Sequence, residues 1–163
     1  DALARFRGVR RRQEILLRNA RFTVVEDFGH HPTAVGETLR SLRARFPGAA
    51  LTAVLEPRSN TTRLKIMEAP FTDALAHADS AYLGPVHRPE KLSPADRLDT
   101  AEVVRRLAGR GVQAHDAPSN AALLDALLAH TIGTPAARPR VVVFFSNGSF
   151  DGIIGKFVAA ARG

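Results

Sequence analysis

Three short polar stretches hold the residues best equipped for chemistry. Glu26-Asp27-Phe28-Gly29-His30-His31-Pro32 sets two acids and two imidazoles around a glycine. Glu56-Pro57-Arg58-Ser59-Asn60-Thr61 sets a guanidinium beside neutral donors, and Ser146-Asn147-Gly148-Ser149-Phe150-Asp151-Gly152 sets hydroxyls and an amide around two glycines. Each follows an apolar, β-rich run. In open α/β sheets ligands gather beyond the carboxyl ends of strands, so the three stretches outline one candidate binding edge. Arg58 carries a planar fork suited to a carboxylate or phosphate. Gly148 permits a ligand to approach the main chain, and amides where a helix opens attract anions. The plain alternatives are polar surface loops and an ordinary Ser/Asp helix cap.

Other readings of these residues fail. Adjacent side chains of an extended segment point to opposite sides, so one metal ion is a poor fit to His30 and His31. An imidazole that fixes the turn, or one that meets a nucleotide, suits them better. Asp27-Phe28-Gly29 lacks every companion motif of the kinase magnesium triplet. No Gly-x-x-x-x-Gly-Lys-Ser/Thr occurs, since Gly155-Lys156 falls inside a helical pattern, and no Ser/His/Asp triad assembles by motif. The chain carries binding groups without a recognisable catalytic engine.

The elements that must position these groups alternate between strand and helix. Glu14–Arg18 and 21–26 read as a hairpin around Asn19-Ala20, with the first strand an antiparallel edge. A helix opens at Thr33, repeats Val35, Leu39, Leu42 and Phe46 at helical spacing, and stops at Pro47-Gly48. Strands follow at 50–55, 80–83, 112–115 and 141–145. The segment 63–78 predicts two short helices interrupted at Pro70. Ser93-Pro94-Ala95-Asp96 predicts a helix start running to Ala108. Helices at 120–130, with Leu123, Leu124, Leu127 and Leu128 facing in, and at 151–161 complete the pattern, and 133–139 is a loop. The alternation predicts an α/β fold, a Rossmann-like three-layer sandwich. Its mostly parallel sheet has about six strands, one of them the antiparallel N-terminal edge strand.

The chain has 163 residues, one domain's worth, with 45% hydrophobic and 24% charged residues. Without cysteine there is no disulfide or thiolate metal site. No apolar run approaches a membrane span and no signal-peptide pattern opens the chain, so no membrane partner is expected, and the lack of cysteine fits a cytoplasmic protein. The first residue is not Met, and Ala2–Phe6 read as a helix end broken at Gly8, as if continuing from something upstream. The net charge of +7 rests on arginine, because only Lys65, Lys91 and Lys156 are lysines. A basic excess favours anionic partners. One tyrosine and no tryptophan leave little for base stacking, which argues against nucleic acid.

Taken together, the three stretches resemble the C-terminal domain of the Mur ligases, over essentially all of residues 1–163. The resemblance implies an upstream N-terminal domain and a central domain that bears the P-loop and most of the ATP and Mg2+ site. It implies that Arg12 reaches the nucleotide, that Asp27 holds the ribose, and that His30 and His31 lie nearby. Gln13 departs from the apolar residue usual there. Asp-Phe-Gly-His-His-Pro is shared by the alanine-adding and tripeptide-adding members, whereas Glu-Pro-Arg-Ser-Asn-Thr and Ser-Asn-Gly-Ser-Phe-Asp-Gly-Ile resemble the tripeptide-adding ones. The implied reaction is ATP-dependent amide formation in peptidoglycan recycling. The lactyl carboxylate of UDP-N-acetylmuramate becomes an acyl phosphate, and the amine of L-alanyl-γ-D-glutamyl-meso-diaminopimelate attacks it. Arg58, Ser59 and Asn60, with Ser146, Asn147, Gly148, Ser149 and Phe150, would then hold the peptide. No catalytic residue is expected in this domain, and the isolated chain is expected to be inactive. The alternatives are the alanine-adding ligase and a non-catalytic nucleotide- or nucleic-acid-binding module.

Overall fold

The computed structural model describes residues 11–163. The expected helix end at Ala2–Phe6 lies outside them, as does Arg10, the first of three successive arginines, Arg10-Arg11-Arg12. Six strands form one sheet in the order β1-β2-β6-β3-β4-β5. β1 (Glu14–Arg18) pairs antiparallel with β2 (Phe22–Asp27), while β6 (Arg140–Phe145), β3 (Ala50–Leu55), β4 (Ser80–Leu83) and β5 (Gln113–Asp116) join β2 in parallel. The expected mixed sheet with one antiparallel edge is what forms.

Burial explains the order. β6 is almost wholly apolar and buried on both faces, the signature of a central parallel strand. β5 fully buries none of its four residues, as an edge strand can. Helices α1 (Pro32–Arg45), α2 (Glu68–Leu75) and α3 (Thr100–Ala108) cover one face, with Val35, Leu39, Phe71 and Val103 fully buried against the sheet. On the other face, α4 (Asn120–Thr131) and α5 (Ile153–Ala161) bury Leu123, Leu127 and Phe157. There Phe157 meets Phe22 and Phe144 edge-on, with ring centroids 6.1 and 5.5 Å apart. Each such side chain contributes about 1.5–3 kcal/mol by leaving water. Leu128 is only half-buried.

The chain leaves β2 through α1 to β3, continues outward through α2 and α3 to β5, and returns beneath the sheet through α4. It then inserts β6 between β2 and β3. This reversal is a topological switch point, and it sets the carboxyl ends of β2, β6 and β3 side by side.

Most elements lie within a residue of the sequence reading, and three places differ by more. Pro70 does not interrupt a helix. It is the third residue of α2, where the missing N–H would have no helical partner in any case. A 3-10 turn at Lys65–Met67 precedes it. The helix expected from Ser93 begins only at Thr100. Ser93 does cap a turn, its hydroxyl accepting the Asp96 amide at 3.2 Å. Leu98 then donates to the Arg63 carbonyl and Lys65 to that of Asp96, each at 2.8 Å, which pulls 97–98 into extended pairing. Asp99 supplies a second cap, accepting the Glu102 amide at 3.1 Å. The last helix likewise starts at Ile153, after a 3-10 turn at Phe150–Gly152 in which Phe150, Asp151 and Gly152 all have positive φ.

If Asp99 is the operative cap of α3, Asp99→Ala should lower unfolding stability by about 1 kcal/mol. Ser93→Ala should cost less, because its turn is exposed. Urea unfolding of the two variants checks the order, and a larger loss for Ser93→Ala would contradict this helix boundary.

Candidate functional site

Parallel pairing continues one residue past each strand. The Ser146 amide donates to the Asp27 carbonyl (3.2 Å), Glu56 to Phe145 (3.0 Å) and Gly84 to Leu55 (2.9 Å). The loops after β2, β6 and β3 therefore leave the sheet at one level and as neighbours. All three polar stretches singled out in the sequence meet at this edge.

Asp27 is buried and held by three internal donors. Its Oδ1 accepts the Gly29 amide at 2.6 Å, and its Oδ2 accepts the Gln13 amide at 3.0 Å and the Thr38 hydroxyl at 3.4 Å. A carboxylate has about four accepting positions, so three internal donors leave room for one more. A Cβ at Gly29 would sit 2.5 Å from Asp27 Oδ1, so only glycine allows this turn. Gln13 contributes its backbone, not its side chain, which accounts for the tolerance of a polar residue there. Asp27, Arg12, Phe28, His30, His31 and Glu37 line an open cleft of about 760 Å³.

The two histidines do not converge on one point. His30 Nδ1 donates to the Phe28 carbonyl at 3.0 Å, and His31 Nδ1 accepts the Thr33 amide at 3.4 Å as the cap of α1. Among the described residues no three His, Asp or Glu side chains come together as a metal site.

Arg58 stands on the opposite side of β6. Its side chain is about one-third exposed and lies 3.5 Å from the buried Glu56. A methyl group at Gly148 would overlap the Arg58 side chain, so the glycine is what lets loop and guanidinium lie together. Glu56 accepts the Ser146 hydroxyl through Oε2, and Ser146 Oγ accepts the Gly148 amide at 2.9 Å. Ser59 and Asn60 are turned to local duties: Ser59 Oγ bonds Thr62 Oγ1 at 2.8 Å, and Asn60 Oδ1 accepts from Arg63 at 2.9 Å. Phe150 is wholly buried, edge-on to Phe144 at 6.3 Å, and anchors its loop from beneath. Ser149 is exposed, and Asn147 Oδ1 is buried without a partner. Because the 3-10 turn intervenes, Ser146–Ser149 does not abut the amides that open α5.

Sequence reasoning missed two side chains here. Arg11, not Arg12, ties the loops together: Nε reaches Glu26 at 2.7 Å, Nη2 donates to the Gly148 carbonyl, and the guanidinium lies 5.7 Å from the Phe28 ring centre. Nothing in a run of three arginines distinguishes the member that turns inward, although a left-handed backbone at Arg11 (φ +60°) makes the turn possible. Glu56, passed over as the strand-ending acid, is the buried anion that holds both Arg58 and Ser146. Beside them, burial and the guanidinium groups of Arg58 and Arg88 push the His87 pKa below its usual value, with Glu56 opposing. Both causes favour the neutral imidazole.

The chain is 43% identical over 91 residues to the UDP-N-acetylmuramate–L-alanyl-γ-D-glutamyl-meso-2,6-diaminoheptandioate ligase of Escherichia coli, covering 55% of this chain and 20% of that protein. It is 31% identical over 151 residues to the UDP-N-acetylmuramate–L-alanine ligase of Chlorobium luteolum, covering 90% of this chain and 31% of that one. It thus spans between a fifth and a third of the length of these relatives. The crystal structure of a murein peptide ligase from Psychrobacter arcticus superposes with a TM-score of 0.72 at 26% identity, over 98% of this chain and 31% of that chain. A family model, that of the Mur ligase glutamate ligase domain, matches residues 11–148, and the chain belongs to that family as a Mur ligase C-terminal domain.

Proposed function

We propose that this domain closes the active site of an ATP-dependent ligase that attaches L-alanyl-γ-D-glutamyl-meso-diaminopimelate to UDP-N-acetylmuramate. The observation that carries the reading is the junction at β6, where a cleft around Asp27 and a cation at Arg58 flank one loop, Ser146–Ser149. The domain would present two ligands to each other across that loop. ATP, with Mg2+, would be held mainly by upstream domains and supplies the phosphoryl group that activates the lactyl carboxylate. Asp27 offers its remaining lone pair to the ribose, with Arg12, His30 and His31 at the mouth of the same cleft. Arg58 pairs with a carboxylate of the incoming peptide and, with the Ser146–Ser149 loop, holds the amine at attack distance. Such orientation can supply several kcal/mol, about 7–11 at the limit. The alanine-adding activity is the second reading, because relatives bearing both names match. Glu56-Pro57-Arg58-Ser59-Asn60-Thr61 favours the tripeptide, since this stretch resembles that of the tripeptide-adding members.

Without a P-loop the chain by itself should bind without turning over. Incubation with ATP, Mg2+, UDP-N-acetylmuramate and tripeptide is expected to yield no product, and appreciable product would overturn the division of labour between domains.

In the full-length ligase, Asp27→Asn should weaken ATP while leaving tripeptide kinetics unchanged. Asparagine loses the charge and keeps one accepting oxygen, so either the Gly29 or the Gln13 amide also loses its acceptor, and thermal unfolding of the variant separates that local loss from the loss at the ribose. The expected cost is about 1.5–3 kcal/mol, roughly 10- to 150-fold in affinity. Damage to the tripeptide response with ATP intact would place the acid on the wrong ligand.

For Arg58 the test varies tripeptide at saturating ATP. Arg58→Ala should raise the Michaelis constant in proportion to a loss of about 2–5 kcal/mol. Arg58→Lys, which keeps charge without the fork, should fall between it and the natural enzyme. An effect of Arg58→Ala below about twofold would make this loop a structural turn.

A further inference from the structure

A second cavity lies on the same sheet edge, two strands beyond Arg58. It has a volume of about 700 Å³ and is bounded by the apolar side chains of Pro85, Val86 and Leu98, with Arg97, Asp99 and Asp116 on its walls. Charges of both signs line this one space, yet they do not neutralise each other. Among the described residues Arg97 makes no ion pair, and its guanidinium donates only a long 3.4 Å bond to the Pro89 carbonyl. Asp116 accepts one hydroxyl, from Thr100 at 3.0 Å, and Asp99 spends Oδ1 on its helix cap. Both carboxylates retain accepting positions. A cation and anions that share a cavity without pairing suit a ligand that carries both charges.

Sheet register fixes how far this cavity lies from the reacting groups. Asp27, Phe145, Leu55, Leu83 and Asp116 occupy one continuous cross-strand row. Neighbouring strands stand about 4.8 Å apart, so the end of β6 and Asp116 are separated by three spacings, roughly 14 Å. A single amino acid at the β6 junction cannot bridge that distance. An extended peptide can: three residues, lengthened by a γ-linkage and the side chain of the last, reach on the order of 15 Å.

We infer that this cavity is the subsite for the far end of the incoming peptide, a carbon bearing both an ammonium and a carboxylate. Arg97 takes the carboxylate, and Asp116, with Asp99, takes the ammonium. The inference rests on the tripeptide reading and adds residues to it: Arg97 and Asp116 are specificity-determining, and they separate a peptide-adding enzyme from one that adds a free amino acid.

The test uses the full-length ligase that contains this chain and three amines: the meso-diaminopimelate tripeptide, the same tripeptide ending in L-lysine, and L-alanine. The lysine peptide keeps the distal ammonium and lacks the carboxylate. Arg97→Ala should raise the Michaelis constant for the diaminopimelate peptide about 10- to 100-fold and leave that for the lysine peptide within about twofold. Arg97→Gln, which retains the first part of the stem and a polar end without the charge, should behave alike and guards against a folding defect. Asp116→Asn should raise the constant for both peptides. The subsite is refuted if the unmodified ligase uses the diaminopimelate peptide but both Arg97 variants leave it within twofold, or weaken both peptides equally. If the unmodified ligase joins L-alanine and neither peptide, the tripeptide reading itself falls, and that result is distinguishable from loss of the subsite alone.

Discussion

Everything at the candidate site depends on β6 lying between β2 and β3. Val141, Val142, Val143, Phe144 and Phe145 are buried on both faces of the sheet, and only a central position provides that. Parallel pairing on each side sets the register: Phe145 is level with both Asp27 and Leu55. The loop that follows is forced into the gap between the other two. A last strand added at the outside would have left the Asp27 cleft and Arg58 without a common neighbour.

The loops so gathered are braced by polar contacts. Asp27 gathers three donors from three segments, Glu56 joins Ser146 to Arg58, and Arg11 reaches Glu26 and Gly148 together. Buried acids without such partners would pay a large desolvation penalty, so each brace also makes its own acid tolerable. The result is a rim whose positions are held by the domain itself, with one lone pair at Asp27 and a partly exposed guanidinium at Arg58 left to face a ligand. Glycine leaves room at two points of close approach, Gly29 against the held carboxylate of Asp27 and Gly148 against the Arg58 side chain.

The edge also has an outward direction. From the Asp27 cleft past Arg58 to the Arg97–Asp116 cavity it offers an acid, a cation and then charges of both signs, all along one row of the sheet. A ligand with several charges spaced along an extended backbone would find partners in sequence, while a small ligand would meet only the first of them. Length and charge together are what such an edge can read.

Much of this was legible in the residues. Strands rich in valine and phenylalanine must be buried wherever they lie, and helices with apolar residues three and four apart must pack. The element types, the antiparallel edge pair and the three polar stretches accordingly follow from local pattern, and Gly29 beside an acid marks the tight turn. Other features belong to tertiary structure alone. The pairing with Arg63–Lys65 shortened α3 despite a good cap at Ser93, because backbone hydrogen bonds to a distant segment outweighed a local signal. Burial drew Phe150 into the core and turned Ser59 and Asn60 to their own loop. Which of adjacent arginines would turn inward depended on Glu26 and Gly148, far apart in the chain. The mixed-charge cavity, assembled from 85–89, 97–100 and 116–118, has no sequence motif at all. Short-range chemistry determines what each segment can be, and only the packing of distant segments decides which side chains are left facing a ligand.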